Sequence, residues 1–173
     1  QEWLVKNFSN VESHTLNLDK LFETFEGALS NFDSELGMAN SRARIRMTTL
    51  YQVAAANKGI VVGTGNKVED FGVGFYTKYG DGGVDISPIA DCNKSEVWEI
   101  GKSINILQEI IDAAPTDGLW DDGRTDEGQL GLKYAELEEA MNNVNSINRE
   151  KYEKIRKMNL HKMEPIPVCK IPN

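Results

Sequence analysis

No part of this sequence stays apolar for long. The longest such runs are a few residues, as in Gly59-Ile-Val-Val62, whereas a bilayer-spanning helix needs about 20. The opening residues, QEWLVKNF, carry neither the basic segment nor the apolar core of a secretory leader. They also lack an initiating Met. With Trp3, Leu4 and Phe8 on adjoining turns they read as the end of an amphipathic helix, so the chain is expected to open in mid-domain. Cysteine is scarce. Cys92 and Cys169 stand far apart, with no paired Cys or His beside either. That argues against a disulfide framework and a thiolate metal site, and leaves two reduced thiols of the cytoplasmic kind. A basic surplus is missing too. The 19 Lys and Arg against 27 Asp and Glu give a net charge of −8, which speaks against general affinity for nucleic acid or an anionic membrane. What is present is 173 residues, 40% hydrophobic and 27% charged, the composition of one globular domain, 1–173.

The patterning alternates. Residues 11–18 are loosely β-like, and Leu21, Phe22, Phe25 and Leu29 follow at helical spacing. Residues 37–56 predict a long helix with a stripe of Ala43, Met47, Leu50, Tyr51 and Ala54, stopped by Lys58-Gly59. The apolar run 59–63 then suits a central parallel strand. Asn93 with Glu96 three residues on is a capping-box pattern, opening a helix that buries Val97, Ile100 and Ile104. A short helix, 108–113, stops before Pro115. Residues 116–131 are aperiodic, rich in Gly and Asp, and predict a long loop of the lid or binding type. Helices over 134–141 and 147–158 and an extended tail complete the chain. Helix, strand, loop and helix in alternation indicate an α/β layered sheet.

Chemistry concentrates in a few segments. Gly63-Thr64-Gly65 lies at the carboxyl end of the expected strand, where ligands of open α/β sheets bind. Thr64 offers a hydroxyl, and Glu69 could hold a hard cation such as Mg²⁺ beside phosphates; a turn with a solvated acid is the competing reading. Neither a Walker A loop nor G-x-G-x-x-G is present there. Gly80-Asp81-Gly82-Gly83 reads as a flexible hinge. Lys94 sits in the first helical turn, where a cation is electrostatically unfavourable unless it strengthens an anion site; a tolerated surface lysine is the alternative. Arg42 and Arg46 share a helix face while Arg44 points elsewhere, a set for carboxylates or phosphates or else a solvated stripe. His161-Lys162 follows the last helix, and a lone His is usually structural. Asp117, Asp121, Asp122, Asp126 and Glu127 fail the spacing of a calcium loop, so the acidic segment reads as mobile.

The segments SRARIRMTTLY, GTGNKVEDFGVGFYTKYGDGGVDISPIAD, NKSEVWEIGK, AAPTDGLWDDGRTDEGQLG, YAELEEAM and NLHKMEPIPV, in this order, closely resemble NAD synthetase of the ammonia-dependent bacterial type. The resemblance implies a Rossmann-like parallel sheet flanked by helices, the adenine nucleotide alpha hydrolase-like fold of ATP pyrophosphatases. It implies ATP-dependent amidation of deamido-NAD by ammonia through an adenylate, in a cytoplasmic homodimer with the long helix around Arg44 at the interface. It also implies roles by position: Thr64, Lys94 and Thr116 for ATP, Glu69 for Mg²⁺, and Arg44, Lys78, Asp85, His161 and Lys162 for deamido-NAD, with 116–131 ordering when substrates bind. The apolar patch 71–76 would be a packed hinge between the two substrates. The family's Ser-Gly-Gly-x-Asp-Ser pyrophosphate loop, which bears a second Mg²⁺ ligand, is not in this sequence and is expected before Gln1. A fragment that serves only as a dinucleotide-binding or dimerisation module is therefore an alternative. A GMP synthetase-like pyrophosphatase is a weaker one, opposed by GDGGVD and LHKMEPIP.

Overall fold

The computed structural model describes residues 1–172, which fall into two compact units, Gln1–Met38 and the residues from Ala39 on. In the first unit, α1 (Glu2–Asn7) and α2 (Asp19–Ala28) flank an extended segment. Trp3 and Phe8 stack edge to face at 5.9 Å. Asn17 accepts the Asp19 N–H at 2.9 Å just before α2. The β-like alternation of 11–18 builds no strand, because no partner strand pairs with it among the described residues.

The second unit takes its shape from a short π-helical turn, Lys67–Val73. Asn66, 2% exposed, starts it by accepting the N–H groups of Val68 and Glu69. Gly74 ends it at φ +64, and a Cβ there would meet Asn159 Cβ at 2.7 Å, so both backbone and space require glycine. The carbonyls at the end of this turn are taken up by side chains of α8 (Arg149–Met163). Tyr152 and Arg156 donate to Gly72 O at 3.3 and 2.7 Å, Asn159 to Val73 O at 3.0 Å, and Lys162 to Gly74 O and Tyr76 O at 2.9 and 2.7 Å. Helical spacing of 152, 156 and 159 puts these donors in one row. Below them lies the core: Val68 and Val73 from the turn, Leu130 and Leu132, Tyr134, Leu137 and Ala140 of α7 (Tyr134–Asn142), and Tyr152 of α8, with Trp98 packed against it.

Several expectations need correction. Of the expected parallel sheet, the described residues form one parallel bridge, Val62 with Ile86. Gly63 N–H donates to Ile86 O at 2.7 Å and Asp85 N–H to Val61 O at 2.9 Å. A central strand needs partners on both edges. Here Val61 is buried while Ile60 and Val62 are 59% and 52% exposed. The long helix is α3 (Glu35–Ala56), but of its expected stripe only Ala43 is fully buried, and Leu50 is 56% exposed. On α4 (Lys94–Ser103), Ile100 and Ile104 are exposed; Trp98 and the close-packed Gly101 face inward instead. The short helix is α5 (Gln108–Ile111). The 116–131 segment is no plain loop. Thr125 accepts the Gly128 N–H and so opens α6 (Asp126–Leu130). Helix α8 runs on to Met163, which puts His161 and Lys162 in its last turn and not after it.

Candidate functional site

A cavity of about 480 Å³ opens in the second unit, of the size that takes a small-molecule ligand. Residues from four separate segments meet in its wall: Thr64, Glu69, Lys94 and Thr116. Each arrives by a local device. Thr64 stands just past the Val62–Ile86 bridge. Glu69 is in the first turn of the Asn66-capped π-helix, and Lys94 opens α4. Thr116 follows Pro115, whose carbonyl accepts the Asp126 N–H at 3.0 Å, and its hydroxyl donates to Arg124 O at 3.1 Å.

The centre of the wall is a carboxylate with two donors on one oxygen. Glu69 Oε1 accepts Lys94 Nζ at 2.8 Å and Tyr134 Oη at 2.5 Å. The Glu69 and Lys94 side chains are 15% and 18% exposed. Lys94 Nζ also lies 4.9 Å from the Tyr134 ring centroid, a cation–π distance. Tyr134 is 1% exposed, and its hydroxyl is 3.0 Å from Asp126 Oδ2. Asp126 is itself 6% exposed and its Oδ1 has no partner. Burial and the neighbouring Glu69 raise the Asp126 carboxyl above the ordinary carboxylate range. Burial and the Glu69 carboxylate likewise push the Tyr134 phenol up, so it stays a neutral donor.

Asp70 lies beside this group. Burial, Glu69 and Asp81 raise it to about 6. A Cβ on Gly65 would fall 2.1 Å from its Oδ2, so glycine there leaves the space the Asp70 carboxylate occupies. The start of α4 is not the open anion site its position suggests. Asn93 N–H donates to Glu96 at 2.7 Å and Ser95 N–H to Glu138 at 2.9 Å, so carboxylates already take these groups, and Lys94 turns to Glu69. Among the described residues no group of three or more His, Cys, Asp or Glu side chains is arranged to hold a metal. Glu69 alone does fit a Mg²⁺ bound through one carboxylate and substrate phosphates, the usual arrangement for that ion.

The other sequence-derived residues gather elsewhere. Arg44 Nε donates to Lys78 O at 3.3 Å, and Lys78 Nζ to His161 O at 2.7 Å. Lys162 is occupied by Gly74 O and Tyr76 O, and Tyr76 Oη returns a bond to Lys162 O at 2.6 Å. Asp85 accepts the Val61 N–H at 2.7 Å and so closes the strand end. None of these five lines the cavity. The apolar patch is packed only in part: Val73 is buried and Phe71 is 54% exposed. Arg42 and Arg46 hold the 116–131 segment, donating to Leu119 O at 2.8 Å and Gly118 O at 3.0 Å. Sequence reasoning missed Asp70 and Tyr134 and took Asp126 for a mobile acid. A Thr125-Asp-Glu-Gly128 helix start would have pointed to order around Asp126. Nothing local distinguishes Tyr134 from any core tyrosine.

The family model for NAD synthase matches residues 2–171. The NH(3)-dependent NAD(+) synthetase of Carboxydothermus hydrogenoformans is 40% identical over 139 residues, 78% of this chain and 56% of that protein. The chain thus spans about half the length of the curated relatives it matches. The solved NMN synthetase of Francisella tularensis superposes with a TM-score of 0.86 at 32% identity, over 99% of this chain and 70% of that one. The NH3-dependent NAD synthetase of Campylobacter jejuni, at 22% identity and a TM-score of 0.70 over 93% of this chain and 67% of that one, shares the fold.

Proposed function

The chain belongs to the NAD synthase family, and we propose that the protein carrying it amidates deamido-NAD with ammonia at the expense of ATP, through an adenylate. The observation that carries this reading is the convergence of Thr64, Glu69, Lys94 and Thr116 on one cavity. In the proposed reaction a nicotinate carboxylate oxygen attacks the α-phosphorus of ATP and pyrophosphate leaves. Ammonia then attacks the acyl carbon and AMP leaves. Little of this requires covalent help from the protein; it requires alignment and management of negative charge. Lys94 would turn from Glu69 to the nucleotide phosphates, and the Thr64 and Thr116 hydroxyls would bond to ATP. Mg²⁺ held by Glu69 would supply charge neutralisation on those phosphates.

Arg44, Lys78, Asp85, His161 and Lys162 are the proposed contacts to deamido-NAD. The same reading includes a Rossmann-like parallel sheet, one synthetase domain of which 1–173 is the C-terminal portion, a homodimer and a cytoplasmic setting. No helix among the described residues is long and apolar enough to cross a membrane. A module that only binds dinucleotide or dimerises is not favoured by a family match over nearly the whole chain.

The likeness to the Francisella NMN synthetase supports a second reading, amidation of the deamido form of NMN. The test is NAD formation by the full-length protein from deamido-NAD, ATP, Mg²⁺ and ammonium, against NMN formation from the mononucleotide. A higher kcat/KM for the mononucleotide selects the second reading, and no amide product from either substrate refutes both.

A further inference from the structure

Glu69 Oε1 has two lone-pair directions, and Lys94 and Tyr134 occupy both. Their situations differ. Lys94 ends in an ammonium on a flexible stem with its side chain 18% exposed. It is a cation that another cation can replace. Tyr134 is 1% exposed, begins α7, and sits in the core with Trp98 edge-on at 6.2 Å. Its ring cannot leave without opening that core.

Tyr134 also reaches the 116–131 segment twice. Its hydroxyl meets Asp126 Oδ2 at 3.0 Å, and its N–H donates to Glu127 Oε1 at 2.9 Å. Asp126 Oδ1 has no partner among the described residues, and its Oδ2 faces the Tyr134 hydroxyl, whose single proton it shares with Glu69.

We propose that Tyr134 is a positioning residue: its hydroxyl fixes the Glu69 carboxylate in the orientation that receives a divalent cation, and its bonds to Asp126 and Glu127 couple that orientation to the seating of the 116–131 segment. When a cation arrives, Lys94 is displaced and Tyr134 stays. Partners behind a liganding carboxylate set its direction, and their loss typically costs 10–100-fold in metal affinity. This deepens the proposed function and rests on its reading of Glu69 as a cation ligand.

The test uses the full-length protein with Mn²⁺ alone as probe, its free concentration read by electron paramagnetic resonance without nucleotide. Tyr134→Phe keeps the ring in the core and is expected to weaken Mn²⁺ binding by roughly 10–100-fold, with the deamido-substrate KM unchanged. Lys94→Met is expected to tighten Mn²⁺ binding, since the resident cation is gone. Glu127→Ala, which spares the hydroxyl, is expected to weaken it by less than Tyr134→Phe does, and it carries the test if the Phe variant does not fold. Mn²⁺ binding lost in Glu69→Gln but intact in both Tyr134→Phe and Glu127→Ala would overturn the positioning role while sparing the Glu69 reading. Intact binding in Glu69→Gln would overturn that reading itself. Weaker binding in Lys94→Met would overturn the choice of Lys94 as the displaced donor.

Discussion

Lys162 and Lys94 both serve the stretch between Glu69 and Tyr76, and they are held in different ways. Lys162 donates to two backbone carbonyls, Gly74 O and Tyr76 O. Burial lowers its ammonium below the ordinary lysine value, opposed only by Asp81. Lys94 meets a carboxylate, Glu69, in the wall of a cavity. A carbonyl pair offers no full charge to exchange, so Lys162 closes the seam between the π-helical turn and α8. A carboxylate does, so Lys94 guards a position that another cation can take. Charge type on the sequence is the same in both; the partner decides whether the lysine joins neutral backbone or faces a carboxylate that another cation can take over.

The largest effect expected at either lysine's surroundings is at Glu69. Glu69→Gln should lower Mg²⁺-dependent adenylation in the full-length protein by roughly 10²–10³-fold, with deamido-NAD binding little changed. Equal loss of both would remove the cation role and with it one side of the contrast.

Next comes the seam. Lys162→Met leaves two carbonyls unmet, which costs about 2 kcal/mol after relief of the ammonium's desolvation, seen as a lower Tm. Lys94→Met, which leaves the largely buried Glu69 carboxylate without its cation, should lower Tm as well, and unlike Lys162→Met it should weaken ATP binding. An equal loss of ATP affinity in the two variants would erase the distinction.

A smaller effect is expected from Asp70, raised from 3.8 to about 6 chiefly by burial. A carboxyl whose folded value is raised contributes stability below pH 3.8 that is lost as pH rises through about 6. Asp70→Asn should therefore raise stability at pH 7 by about 1 kcal/mol, after allowance for solvent screening, and leave it unchanged at pH 4. A pH-independent gain would show that packing against Gly65, and not charge, is what Asp70 strains. The smallest change is Arg46→Ala, which removes the bond to Gly118 O. It should cost under about 1 kcal/mol and show chiefly as faster proteolysis within 116–131.

How much of this was legible in the sequence depends on the range of the interactions. The α4 start at Asn93, the stop after Ala56 and the order of helices follow from caps, glycines and periodicity, which act within a turn or two. The gathering of Thr64, Glu69, Lys94 and Thr116 followed from long motifs, not from any local rule. The buried faces of α3 and α4 were misjudged because an apolar stripe states what a helix can bury and not what is there to cover it; Leu50, Ile100 and Ile104 remain exposed. At 59–63 the described residues supply one parallel bridge, to Ile86, because strand pairing depends on partners far along the chain that no local pattern states.

By itself the sequence determined the acidic balance, the helices with their caps and the glycine at Gly74 that lets the π-helical turn end. Tertiary structure alone decided that Glu69 shares one oxygen between Lys94, 25 residues on, and Tyr134, 65 residues on, and that Lys162 spends its charge on carbonyls. The physical reason is that a hydrogen bond is won by whichever partner the fold brings within about 3 Å, and residue type fixes only who is able to compete.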